Sequence, residues 1–166
     1  MMVEGNSSRH LVKSTHPGLA GGLTNEEDIS LAALVDVPVL ISGPAAACCE
    51  LACELDRRSM SPVGAVEVID CRVQDALRSL EPGKEPVTDP AKILLLQEVH
   101  ALSPDDQLRL TRQLDEIGRP PSGIRRILAS SSVPLFDRVV DQLFSEPLYY
   151  RLNIIHLVIR PNNMPD

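Results

Sequence analysis

Lys92–Glu116 reads KILLLQEVHALSPDDQLRLTRQLDE. Ile93–Leu96 is apolar at every position, which predicts a strand buried on both faces. From Pro104 to Ile117 the spacing predicts an amphipathic helix. Ser103 stands as its N-cap, Pro104 at its first position and Gly118 just past its end.

The same alternation continues outward in both directions. Upstream, Pro38–Ser42 is a short apolar run ended by Gly43 and Pro44, Ala47–Ser59 has helical composition, and Ala65–Asp70 is a further strand. A short helix is predicted over Val73–Leu80 and a loop over residues 81–90, which read EPGKEPVTDP. Downstream, a strand is predicted over 124–130, a helix over Pro134–Phe144 and a last strand over 154–159. Ahead of all these lies a short helix, Glu26–Val35, capped by Thr24 or Asn25. Strands that are apolar on both faces and alternate with helices imply an α/β fold. The expectation is a three-layer sandwich around five mostly parallel strands. Residues 1–25, rich in Gly, Ser, Asn and His, are expected to be a flexible lead-in to one domain over 26–166.

Composition narrows the function. The 166 residues suit one core, and aromatic residues make up 2% with no Trp, so Leu, Ile, Val and Ala must fill it. That scarcity leaves no stacking platform for single strands. A net charge of -7, with Arg57-Arg58 and Arg125-Arg126 the only basic pairs, argues against DNA and anionic membranes as partners. No apolar stretch approaches a membrane span and Met1–His10 lacks a signal-peptide core, so a cytoplasmic location is expected.

Four blocks carry a family resemblance. Lys92–Glu116 resembles the Walker B region of sigma-54-dependent transcription activators, roughly T-L-F-L-D-E-I-x-x-L-P-x-x-x-Q-x-x-L-L-R-x-L-x-E. Phe144–Pro161, FSEPLYYRLNIIHLVIRP, is similar to F-R-E-D-L-Y-Y-R-L-N-V-x-x-I-x-L-P-P. Arg126–Leu135, RILASSSVPL, is similar to R-I-I-A-A-T-N-x-x-L, and Val37–Glu50, VPVLISGPAAACCE, to A-P-V-L-I-x-G-E-S-G-T-G-K-E. The blocks keep the family's order. The resemblance implies a P-loop NTPase (AAA+) core with its first strand inside the sheet, and a former phosphate loop over residues 37–50.

The substitutions within that resemblance point away from catalysis. A phosphate loop needs glycines whose N–H groups wrap the phosphates and a lysine for their charge. Gly43 and Glu50 remain, but Ala46 and Cys48 stand at glycine positions and Cys49 at the lysine position. Gln97 replaces the Walker B aspartate that would hold Mg2+, leaving Glu98 at the water-orienting position without a metal-nucleotide to act on. Ser132 occupies the polar sensor position. In the R-E-D-L-x-x-R stretch Ser145 replaces the first arginine and Arg151 matches the second. The resemblance makes Phe144, Ser145, Tyr149, Tyr150 and Arg151 interface candidates. About twenty residues, Arg72–Ala91, separate the second and third strands, and none matches the sigma-contacting G-A-F-T-G-A loop. The helical lid is expected to be missing beyond Asp166.

The cysteines offer an alternative. Cys48, Cys49 and Cys53 crowd one strand-to-helix turn, where a thiol tends toward a lowered pKa, so a thiol or metal site can be built on them. Cys71, expected to end the outer edge strand three strands away, lies on the order of 14 Å off at about 4.8 Å per strand. That is too far to share a zinc ion. His10, His16, His100 and His156 suggest no cluster.

Three readings stay open. The first is a non-catalytic AAA+-like module acting in transcription-related or other regulation by protein contact, monomeric or dimeric alone, with a complete AAA+ protein as a candidate partner. The second keeps weak ATP or ADP binding without fast turnover. The third is the thiol or metal site. The erased chemistry favours the first, with no cofactor and no ATPase activity.

Overall fold

The computed structural model describes residues 9–13, 26–80, 92–115 and 124–160. Its strands are β1 (Arg9–Lys13), β2 (Val39–Ser42), β3 (Ala65–Asp70), β4 (Lys92–Gln97), β5 (Ile124–Ser131) and β6 (Ile155–Val158). The α-helices are α1 (Glu26–Leu34), α2 (Ala45–Arg57), α3 (Pro104–Asp115), α4 (Leu135–Val140) and α5 (Glu146–Leu152). The sheet order is β1-β3-β4-β5-β2-β6. Strands β2 to β6 are parallel, and β1 runs antiparallel against β3. The predicted five-stranded parallel sheet is therefore present, with β2 in its interior.

Alternation along β4 sorts the core into two layers. Leu94 and Leu96 join Leu40, Ile127 and Ala129 on the face covered by α3, α4 and α5. Ile93 and Leu95 join Val39, Ile41 and Leu128 on the face covered by α1 and α2. All four β4 side chains are buried, which is why a run with no polar alternation makes a strand here.

Several expectations are corrected. Part of the lead-in drawn over residues 1–25 is the strand β1, and the rest lies outside the described residues. Because β1 pairs with β3, Cys71 follows the penultimate strand, not the outer edge, although β3 still lies three strands from β2. The helix expected over Val73–Leu80 is a 3-10 turn at Ala76–Leu80. The loop over 81–90 and the end of α3 at Ile117 and Gly118 fall outside the described residues. The helix expected over Pro134–Phe144 stops at Val140. Gln142 there adopts φ 60°, and the amides of Leu143 and Phe144 both donate to the Arg138 carbonyl at 2.8 and 3.0 Å. A new helix, α5, then starts at a Ser145 N-cap that accepts from the Leu148 amide at 3.4 Å. Buried Gln107 of α3 fixes this corner: its Oε1 accepts from the Ser145 amide at 2.7 Å, and its Nε2 donates to Leu102 and Leu143 carbonyls.

Two polar devices tie α1 to the rest. Arg126 of β5 is 1% exposed. It donates from Nη2 to the Ala32 carbonyl at 2.5 Å and from Nε to the Val37 carbonyl at 3.0 Å. Burial pushes its guanidinium down to about 10. Glu54 of α2 accepts from Arg57 Nε at 2.8 Å and from Arg58 Nε at 2.5 Å, and Arg58 reaches Glu26 of α1 at 2.7 Å.

Two outcomes follow. Arg126→Met leaves the Ala32 and Val37 carbonyls without their donor, so urea unfolding should show a loss of about 1–3 kcal/mol. The Glu54 carboxyl is held below the usual range, first by its hydrogen bond from Arg57. A lowered folded pKa stabilises above the unfolded carboxylate range and loses that contribution as pH falls through the folded value. Glu54→Gln should therefore cost about 1 kcal/mol at pH 7 and little at pH 3, read by chemical denaturation at both pH values.

Candidate functional site at the carboxyl ends of the parallel strands

All five parallel strands deliver their carboxyl ends to one side of the molecule, where open α/β sheets bind ligands. Gly43 closes β2 with φ 154°, and its amide donates to the Ser131 carbonyl at 3.1 Å. A Cβ at Gly43 would lie 2.9 Å from Ile159 Cβ and 3.0 Å from the Ile159 carbonyl oxygen, so glycine is required.

The former phosphate loop departs from the expected turn. The helix predicted from Ala47 begins at Ala45, directly after Pro44. The Cys48 amide donates to the Pro44 carbonyl at 3.0 Å as an ordinary helical bond. Three alanines and no glycine between Pro44 and Cys48 favour helix over an open nest. Positions Ala46 and Cys48 thus lie in the first turns of α2. Cys48 is buried, with its thiol 3.8 Å from the Ile41 carbonyl, while Glu50 is exposed.

The two positions that the resemblance aligns with the Walker lysine and aspartate meet. Gln97 at the end of β4 donates from Nε2 to Cys49 Sγ at 3.6 Å. Both side chains are neutral at pH 7, since burial and then Glu50 raise the Cys49 thiol above its ordinary range. Next to them Glu98 is 5% exposed and takes the left-handed conformation, φ 57° and ψ 48°, uncommon for a residue with a Cβ. Its Oε2 accepts from the Ser132 hydroxyl at 2.6 Å, while Oε1 is buried with no hydrogen-bond donor among the described residues.

His100 joins this cluster, which its position in the sequence did not announce. Its Nε2 lies 3.5 Å from Glu98 Oε2 and its Nδ1 3.1 Å from Ser131 Oγ. The Ser131 hydroxyl donates to the Val133 carbonyl at 2.6 Å, so its oxygen accepts from His100 Nδ1–H. Burial lowers the His100 pKa against the opposing pull of Glu98.

The interface candidates separate. Phe144 and Tyr149 are core residues, 4% and 8% exposed, Phe144 in the corner before α5 and Tyr149 on the buried side of α5. Ser145 is consumed as the α5 cap. Tyr150 is 57% exposed, and half-buried Arg151 donates to the Pro147 carbonyl at 2.9 Å. Of the interface set, Tyr150 is exposed and Ser145 and Arg151 are half-buried.

The cysteines show no activated thiol. Burial pushes Cys48 up to about 12 and Cys53 up to about 11, and raises Cys71 as well. Among the described residues no three His, Cys, Asp or Glu side chains are grouped to hold a metal ion. A thiol with a raised pKa stays protonated and unreactive at neutral pH. Iodoacetamide at pH 8 should label half-exposed Cys49 first and slowly, and reach Cys48, Cys53 and Cys71 only after unfolding, as read by peptide mass spectrometry.

Sheet order, the strand-to-helix step at Gly43 and the acidic residue just after β4 resemble the α/β fold of P-loop NTPases of the AAA+ type. The particular likeness is to sigma-54 activators. NtrX of Brucella abortus, crystallised with ATP, superposes with a TM-score of 0.65 at 20% identity, covering 87% of this chain and 39% of that one. The P-loop NTPase domain of an E. coli sigma-54 transport activator gives 0.58 at 13% identity, covering 82% and 92%. In sequence, the chain is 35% identical over 75 residues to the C4-dicarboxylate transport transcriptional regulatory protein DctD of Rhizobium meliloti, covering 41% of this chain and 16% of DctD. The chain thus spans well under half the length of DctD and of NtrX. No family model matches it. No helix among the described residues is long and apolar enough to cross a membrane.

Proposed function

We propose that this chain is a non-catalytic AAA+-like module that acts in transcription-related regulation through protein contact. The observation that carries the reading is the Cys49–Gln97 contact: two neutral side chains pair where the resemblance calls for a lysine and a metal-binding aspartate. The helical start of α2 at Ala45 supports it. The Cys48 amide is bonded to the carbonyl of Pro44, and Pro44 itself has no N–H to offer a phosphate.

Electrostatics works in the same direction. Glu50 and Glu98 bring carboxylates to a place where phosphates need cations, and Arg72 nearby is committed to Asp70 at 2.8 Å. Glu98, held by Ser132, serves as a hydrogen-bonding carboxylate at a strand end. With no nucleotide to bridge subunits, assembly loses its ligand-linked driving force. The isolated chain is then a monomer or small dimer, and a larger assembly needs a partner. A complete AAA+ protein fits, meeting Tyr150 and Arg151.

Calorimetry with ATP and Mg2+ tests this directly. Binding should be no tighter than millimolar, about 4 kcal/mol, and no phosphate should be released on incubation. Micromolar affinity would favour a nucleotide-holding domain instead, and ATP-dependent growth in mass by light scattering would do the same.

A further inference from the structure

A second concavity opens beside the former phosphate loop, on the α4–α5 face of the sheet. It encloses about 570 Å3 beyond the carboxyl ends of β5, β2 and β6, within the range of small-molecule sites. Its wall is mainly apolar: Leu40, Leu135, Phe136, Tyr149, Val158 and Ile159. Phe136 and Tyr149 stand with ring centroids 5.6 Å apart and tilted at 52°, offering two ring surfaces. Among the described residues, Gln97, Glu98 and Cys49 do not line it, and neither does any Asp, Glu, Lys or Arg.

The polar atoms in this wall are unequally committed. The Ser131 hydroxyl is bonded to Val133 and His100, and the Ser132 hydroxyl to Glu98. Ser42 and His156 instead meet each other, Oγ to Nε2 at 2.7 Å. Strand pairing builds this contact, since Ser42 on β2 and His156 on β6 stand in adjacent parallel strands. In one tautomer His156 donates and the Ser42 O–H is left to donate. In the other Ser42 donates and its oxygen is left to accept. A ligand hydroxyl satisfies either case. Burial lowers the His156 pKa, which keeps this end uncharged at neutral pH.

We infer that this cleft is a binding site for an uncharged, mainly aromatic or aliphatic small molecule carrying one hydroxyl, its body between Leu135, Phe136, Tyr149 and Val158 and its hydroxyl on the Ser42–His156 pair. The uncharged lining selects against anions, which would be desolvated without a partner. The cleft shares Gly43, Pro44 and Ser132 with the phosphate-loop and sensor positions, but the ligand it would take carries no phosphate.

Amide NMR of the full chain tests the inference with three probes: 2-naphthol, naphthalene and naphthalene-2-sulfonate. 2-Naphthol should shift the amides of Ser132, Val133, Leu135, Tyr149 and Val158, and the sulfonate should leave them in place. Ser42→Ala should weaken 2-naphthol about fivefold, the weight of one hydrogen bond, with naphthalene unchanged. Val158→Trp, at a partly exposed rim position that does not disturb the core, should abolish binding of both. Shifts that are absent or scattered, equal binding of the sulfonate, or indifference to both substitutions would overturn the inference.

Discussion

Strand β4 must be covered on both faces, and the rest of the architecture follows from that. Ile93 and Leu95 point to one side and Leu94 and Leu96 to the other, all buried. A strand of this kind is unstable at a surface, so helices have to lie on each face and neighbouring strands on each edge. With β3 and β5 parallel to it, every crossover returns over a face of the sheet. The carboxyl ends of all five parallel strands therefore gather on one side. Gln97, Glu98, Ser131, Ser132 and Gly43 meet there for that reason.

At that meeting point the side chains that pair are uncharged. Cys49 and Gln97 need only each other, and the Cys48 amide is taken up by the Pro44 carbonyl. Beside them Glu98 is strained into the left-handed region and bonded to Ser132. Backbone strain of this kind persists only where the surroundings over-determine it, and here the strand end, the Val99–Ala101 turn and the Ser132 bond do so.

The helical layer over β4 is held by polar groups that hydropathy ignores. Gln107 ties α3 to the corner between α4 and α5, and Arg126 ties β5 to the end of α1. Both are buried and bond mainly to backbone, so they fix position where Leu and Val contacts alone permit sliding. The cleft beside α4 depends on this: α4 ends early at Gln142 and α5 restarts at Ser145, and Phe136 and Tyr149 frame the opening between them.

The sequence alone determined the layered α/β class, the five parallel strands and the positions of the Walker-type substitutions. Each of these is written in local terms: apolar runs bounded by Gly and Pro, a capped amphipathic helix, and motif residues at fixed offsets. It did not reveal β1, whose pairing with β3 depends on backbone bonds between segments far apart in the chain. Nor did it reveal α5, where a helix restarts in a stretch to which the sequence assigned no element. It named Phe144 and Tyr149 as interface candidates, and motif position does not say that both are packed into the core. Tertiary structure decided the rest. Cys49 meets Gln97 across 48 residues, His100 meets Ser131 across 31, and Ser42 meets His156 across 114. Such contacts exist only once parallel strands are set side by side in register, a long-range pairing that no local pattern encodes.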